Sequence, residues 1–266
     1  MGRYRFRDGY QGSSFAELLE NEFPSLRPDL AGLFEGHREV PTAHGTTVLG
    51  VRYADGVLVA GDRLATMDYR VASRDIQKVY ATDGWSLMAI AGAAGPSIEM
   101  ARLLSVQFEH YEKIEGEPLE LEGKANVLSG LIRQNLPAAM QGLVVVPIFA
   151  GYDRRRRTGR LWKYEITGGR YEEGDYDSTG SGSLFARESL KKSFREGLSR
   201  EETLRIAIEA LTDASDEDRG TGGVDTLRGL YPTMKLATDA GIEDVADSEI
   251  AGIYEQVIAS RRRSPA

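Results

Sequence analysis

A hydroxyl nucleophile needs a base, and this chain has few side chains to serve as one. Among its 266 residues are three scattered histidines and no cysteine. Ser-His and Cys-His arrangements are therefore poorly supplied. The H-E-x-x-H, G-x-S-x-G and G-x-x-x-x-G-K-[ST] patterns are all missing. An N-terminal threonine carries its own base: its α-amine has a reference pKa of about 7.7–8.0 and can accept the proton of the same residue's hydroxyl. Gly45-Thr46-Thr47-Val48 stands where a cut would expose such an amine, between a leader and the first strongly apolar strand. On its own a Gly-Thr-Thr at a strand start is common. The expectation that Thr46 is a nucleophile released by cleavage of the Gly45–Thr46 bond rests on motifs further along the chain.

Those motifs form an ordered series: Ala60-Gly61-Asp62-Arg63-Leu64-Ala65-Thr66, Lys78-Val79-Tyr80, Ala91-Gly92-Ala93-Ala94, Gly180-Ser181-Gly182-Ser183 and Asp218-Arg219-Gly220-Thr221-Gly222-Gly223. With His44-Gly45-Thr46-Thr47-Val48 before it, this series resembles the β subunits of the 20S proteasome, in particular the bacterial form. The resemblance runs from Thr46 to about Ser260. It implies an N-terminal nucleophile hydrolase fold and threonine endopeptidase activity that needs neither metal nor organic cofactor.

By the same resemblance, Thr46 is the nucleophile, and Asp62 pairs with Lys78, whose charge would keep the Thr46 amine unprotonated and available as a base. Gly92 supplies an oxyanion-binding N–H. Ser181, Asp218 and Thr221 support the threonine amine. Thr66 and Ala94 would hold substrate backbone as an added strand, and Ala65, Ile76, Ile90 and Ala94 would line an apolar pocket for the side chain before the scissile bond. Thr221 stands where the family often has serine, and Leu64 where it is often basic. Residues 1–45 would be a propeptide lost on autocatalytic maturation, and 46–266 the catalytic domain. The expected partners are α subunits, other β subunits in heptameric rings, an ATPase or other activator ring, and unfolded protein substrates. Two rivals remain: an HslV-type threonine protease of six-membered double rings, and a non-catalytic β subunit that fills a ring position.

The elements that must position these residues are legible as strands and helices. Thr46–Tyr53 and Val57–Gly61 flank a turn signal and read as a hairpin. Lys78–Thr82 and Trp85–Ala91 make a second pair around Asp83-Gly84. Helical spacing of Ile98, Ala101, Leu104, Phe108 and Tyr111 predicts a helix over 97–115, with another over 120–139. Strands return over 143–152 and 160–166, then helices over 184–196 and around Leu204, Ala207, Ile208 and Leu211. Strands over 226–238 and a helix through Ile250, Ile253, Tyr254, Val257 and Ile258 close the chain. Strands grouped apart from helix pairs indicate an α+β fold, a four-layer αββα sandwich. In the leader, Ser14–Glu20 is an amphipathic stretch fit for a short helix, and Pro24, Pro28 and Pro41 break anything longer.

Composition narrows the function classes. A hydrophobic content of 41% with 28% charged residues is that of an ordinary soluble domain. No apolar run approaches the roughly 20 residues that span a bilayer, and no secretory h-region opens the chain. With no cysteine, this points to a cytoplasmic protein without disulfides or thiolate zinc. A net charge of −8 argues against nucleic-acid binding. The basic runs Arg154–Arg157 and Arg261–Arg263 read as a solvated hairpin tip and tail.

Overall fold

The first strand, β1 (Thr47–Tyr53), alternates its side chains between two different cores, and that alternation sets the architecture. In a computed structural model describing residues 45–67 and 70–263, Leu49 and Val51 point to one apolar cluster and Val48 to another. The next strand, β2 (Gly56–Gly61), does the same, with Leu58 and Ala60 on one side and Val57 and Val59 on the other. A strand buried on both faces must lie in an inner layer.

The remaining elements complete the two sheets and supply a hairpin and the helices. In chain order they are β3 (Ala65–Met67), β4 (Arg70–Ser73), β5 (Val79–Ala81), β6 (Ser86–Ala89), α1 (Ala94–Glu115), α2 (Leu121–Gln134) and the four-residue α3 (Leu136–Ala139). There follow β7 (Ile148–Asp153), β8 (Thr158–Tyr164), β9 (Arg170–Glu173), β10 (Tyr176–Gly180), α4 (Ser183–Ser193) and α5 (Arg200–Glu217). The chain closes with β11 (Thr233–Thr238), β12 (Gly241–Asp244) and α6 (Asp247–Arg263). One antiparallel sheet has the order β10-β1-β2-β11-β12, the other β5-β6-β7-β8-β9, and β3-β4 forms a separate hairpin.

Three apolar clusters separate four layers. Between the sheets lie Val48, Val57, Val59, Leu87, Ala89, Ile148, Ala150 and Leu161. Outside the first sheet, α4, α5 and α6 bury Leu190, Leu204, Leu211, Ile250 and Val257 against it. Outside the second, α1 and α2 bury Leu104, Phe108, Leu128 and Ile132 against Phe149 and Trp162. This is the αββα sandwich expected from the order of elements. Helix α5 starts at a capping box in which Ser199 and Glu202 satisfy each other's backbone N–H groups. Among the described residues no helix is long and apolar enough to cross a membrane.

Several boundaries differ from the sequence expectation. The strand expected over 143–152 begins only at Ile148, because Pro147 has no N–H to give a ladder and residues before it make only the isolated Val145–Gly92 bridge. The helix expected over 120–139 stops at Gln134 and restarts as α3 with Pro137 in its first turn. Of the strand expected over 226–238, only Thr233–Thr238 forms, starting just after Pro232. The β3-β4 hairpin and strands β9, β10 and β12 were not foreseen; all are three to five residues long and polar along much of their length. The leader stretch Ser14–Glu20 lies outside the described residues.

The Arg154–Arg157 run is an exposed tip between β7 and β8, as expected, with the Arg154 guanidinium 4.4 Å from the Trp85 ring centroid. In the C-terminal run, Arg261 pairs with Asp213 on α5 at 2.6 Å.

Candidate active site

Thr46 sits immediately before β1, buried to 5% exposure, where three separate parts of the chain meet. The first is the β10–α4 turn. Gly180 pairs with Thr47 across the β1–β10 ladder, and its φ of +106° lets the chain turn back over Thr46. A side chain at Gly180 would collide with the Thr46 carbonyl oxygen. That oxygen accepts the Ser181 N–H at 2.8 Å, while the Thr46 N–H reaches Ser181 Oγ at 3.4 Å. The glycine-rich Gly180-Ser181-Gly182 segment is thus a turn fitted to the β1 backbone.

The second part is the segment from Asp62 to Lys78. Asp62 leaves the end of β2 almost fully buried, and Lys78 Nζ donates to its Oδ1 at 2.7 Å. The same oxygen accepts the Thr47 N–H at 2.8 Å, and Oδ2 accepts N–H groups of Leu64 at 3.0 Å and Gly222 at 2.8 Å. Burial pushes the Asp62 carboxyl pKa up, and Lys78 with these backbone donors pulls the other way. Four donors on its acceptor positions suit the ionised form, since a proton would displace one of them. Burial lowers the Lys78 pKa, against the opposing pull of Asp62 and Asp218. Lys78 Nζ makes two more contacts, with the Leu64 carbonyl at 2.6 Å and the Gly45 carbonyl at 3.2 Å.

The third part is the loop after α5. Asp218 Oδ2 accepts the hydroxyls of Ser181 at 2.5 Å and Thr221 at 2.6 Å, and its Oδ1 accepts the Gly220 N–H at 3.1 Å. The Thr221 hydroxyl thus makes the supporting contact that a serine at this position could also make.

The bond before Thr46 lies among these groups. Thr46 Oγ1 donates to the Gly45 carbonyl oxygen at 2.6 Å, so the hydroxyl lies against that carbonyl group. The Gly45 N–H donates to Thr66 Oγ1 at 3.1 Å. Gly92, with φ +109°, lies beside the same small cleft. Its bridge to Val145 is made by the Ala93 and Val146 N–H groups, so its own N–H takes no part in that bridge. Ala65, Ile76, Ile90 and Ala94 all line the cleft with Thr46 and Lys78. Ala94 is the first residue of α1, a position whose N–H has no intrahelical acceptor.

The candidate site residues read from the sequence therefore fall at this site or border it. Sequence reading missed the backbone of Leu64, which binds both Asp62 and Lys78, so that a change of side chain there leaves both contacts in place. It missed Gln77 and Ile98 in the cleft wall, and the Thr47 hydroxyl, 2.5 Å from that of Thr221. Only Thr47 carried a visible signal, as the second threonine of the Gly-Thr-Thr run.

Residues 42–227 match the proteasome subunit family. A "Proteasome subunit beta" of Rhodococcus erythropolis is 48% identical over 270 residues, covering 98% of this chain and 92% of its own. Proteins of the same name from Streptomyces griseus and Acidothermus cellulolyticus are 46% and 47% identical; each match covers 95% of this chain, and 90% and 89% of the respective relative. With that identity sustained over nearly its whole length, the chain belongs to the proteasome family, among the bacterial beta subunits.

Proposed function

We propose that this chain is the precursor of a catalytic β subunit: a threonine endopeptidase activated by autocatalytic cleavage at Gly45–Thr46. The observation that carries this reading is the convergence on one carbonyl oxygen, that of Gly45, of the Thr46 hydroxyl at 2.6 Å and the Lys78 ammonium at 3.2 Å. A nucleophile against a carbonyl polarised by a buried cation is an arrangement for acyl transfer.

In maturation, Thr46 Oγ bonds to the Gly45 carbonyl carbon, the carbon–nitrogen bond breaks, and the hydroxyl proton passes to the departing Thr46 nitrogen. Water then hydrolyses the ester, releasing residues 1–45 as a propeptide with a C-terminal carboxylate and leaving Thr46 with a free amine and hydroxyl. In turnover, that amine accepts the hydroxyl proton, directly or through water, as Thr46 attacks a substrate carbonyl. Lys78, next to it, disfavours protonation of the amine. The Gly92 N–H serves the developing oxyanion, Thr66 and Ala94 hold the substrate backbone, and the apolar wall of Ala65, Ile76, Ile90 and Ala94 favours cleavage after apolar residues.

Membership of the family implies assembly into a multi-subunit proteasome complex. We extend this to heptameric β rings between α rings, fed with unfolded protein by an activator ring, in the cytoplasm. An HslV-type assembly has less support, since the relatives are named as proteasome β subunits. A non-catalytic subunit would not need the Asp62–Lys78 pair and the Thr46 hydroxyl gathered around the Gly45 carbonyl.

Co-expression with the α partner and intact-mass measurement tests this reading. The expected product begins at Thr46 and cleaves peptides. Thr46→Ala should fold and assemble but remain uncut and inactive. Peptide turnover by that variant, or a wild-type particle that is uncut and inactive, would refute the reading.

A further inference from the structure

The second threonine of the Gly-Thr-Thr run is fully buried at the head of a strand that continues with Val48, Leu49, Gly50 and Val51. On packing grounds valine would fill position 47 as well, so a hydroxyl there needs a polar role. Its contacts join the three parts of the site. Through its backbone, Thr47 donates to Asp62 Oδ1 at 2.8 Å, the oxygen that Lys78 also binds. Through its side chain, it meets Thr221 Oγ1 at 2.5 Å and accepts the Gly182 N–H at 3.0 Å.

The chemistry of the partners fixes the direction of these bonds. Gly182 can only donate, so it takes a lone pair of Thr47 Oγ1 and leaves that hydroxyl's hydrogen for Thr221. The Thr221 hydrogen in turn goes to Asp218 Oδ2 at 2.6 Å, an acceptor when ionised. Ser181 gives its hydrogen to the same oxygen at 2.5 Å, a closer acceptor than the Thr46 carbonyl oxygen at 3.2 Å, and its lone pairs remain to accept the Thr46 N–H. The result is a one-way chain: Gly182 N–H, Thr47 hydroxyl, Thr221 hydroxyl, Asp218 carboxylate.

We propose that the Thr47 hydroxyl is a positioning group for the reaction at Thr46, pinning the Gly182 turn and the Asp218–Thr221 loop to β1 so that Ser181 stays oriented as an acceptor for the Thr46 nitrogen. This rests on the reading of Thr46 as the nucleophile. There is no slack in the arrangement: a Cβ on Gly182 would lie 2.5 Å from Thr221 Oγ1 and 3.1 Å from Asp218 Oδ2, and would overlap Thr47 Oγ1. Without the hydroxyl, the Gly182 N–H loses its acceptor and Thr221 its donor, both in buried surroundings. Ser181, next in the chain to Gly182, is then free to drift from Thr46.

The test is made on the assembled particle, co-expressed with its α partner, with processing followed by mass and a fluorogenic peptide ending in an apolar residue as substrate. Thr47→Val keeps the shape and the backbone N–H to Asp62. It should lower kcat by about 10–100-fold, the penalty for loosened positioning, with KM within about threefold of wild type. Thr47→Ser, which restores only the hydroxyl, should recover kcat to within about threefold. Thr47→Val combined with Thr221→Val should be little worse than the more damaging single change, because both cut one chain of bonds. Wild-type kcat in Thr47→Val, equal loss in the valine and serine variants, or additive losses would each overturn the proposal. If Thr47→Val does not assemble, Thr47→Ser and Thr47→Ala decide it: a near-normal serine variant beside an impaired alanine variant supports the role, and equal impairment overturns it. Thr47→Val at wild-type rate with Thr46→Ala inactive sinks only the positioning role. Turnover by Thr46→Ala removes the nucleophile, and this inference with it.

Discussion

Replacing Gly45 by alanine should stop or greatly slow maturation while leaving the mature enzyme untouched. A Cβ at position 45 would collide with Thr66 Oγ1 and lie 2.6 Å from the Gly220 carbonyl oxygen and 2.8 Å from Gly220 Cα. The threonine hydroxyl can rotate away, but Gly220 is backbone, and its N–H is held by Asp218. Ordinary contact needs about 3.5 Å, so starting from 2.6 Å the scissile carbonyl must move by about 0.9 Å. Misplacing reacting atoms by about 1 Å costs on the order of 10²-fold in rate, or about 2.7 kcal/mol of barrier. The assay is a time course of intact mass during assembly with the α partner, comparing Gly45→Ala with wild type. A second preparation supplies the control: a chain whose N-terminus is set at Thr46 by removal of a fusion lacks residue 45 altogether and should turn over peptide normally. Processing of Gly45→Ala at the wild-type rate would refute the steric reasoning and show that Gly220 yields.

Two further outcomes concern the buried groups. Asp62→Asn leaves Lys78 as a buried cation without its carboxylate, and breaking such a pair costs about 3–5 kcal/mol. The thermal midpoint should fall by roughly 10 °C and peptide cleavage should be lost; an unchanged midpoint would show that the pair is not coupled to folding. Tyr53 gives a pH test: burial, helped by Asp55 and Glu243, raises its pKa to about 12. The unfolded chain then loses this proton first, near pH 10, so between pH 10 and 12 the native state holds more protons and stability falls as pH rises. Urea midpoints should drop across that window, and less steeply in Tyr53→Phe; equal slopes in the two proteins would remove Tyr53 as the cause.

Local pattern was enough to read the layers. The apolar runs within Thr47–Tyr53 and Gly56–Gly61 reflect burial of both faces, and the helical spacing of Ala101, Leu104 and Phe108 burial of one; both signals are written in neighbouring residues. Short polar strands such as β9 and β12 gave no such signal, because pairing with an existing edge formed them and not their own propensity.

Residue types and their order were enough to name the groups that could act: a threonine behind a glycine, an acid and a lysine sixteen residues apart, and a distant Ser-Gly turn and Asp-x-x-Thr loop. How these groups meet is a matter of long-range packing. Thr46 and Ser181 stand 135 residues apart in the chain, and Thr47 and Thr221 stand 174 apart. Their meeting follows from the β1–β10 register and the placement of the loop after α5, neither of which leaves a trace in local spacing. The same packing gave work to groups that have no sequence signature at all. The Leu64 backbone binds both members of the ion pair, and Gly220 leaves room at position 45 for nothing larger than hydrogen. Backbone donors and steric walls belong to every residue type, so only their position in space makes them specific.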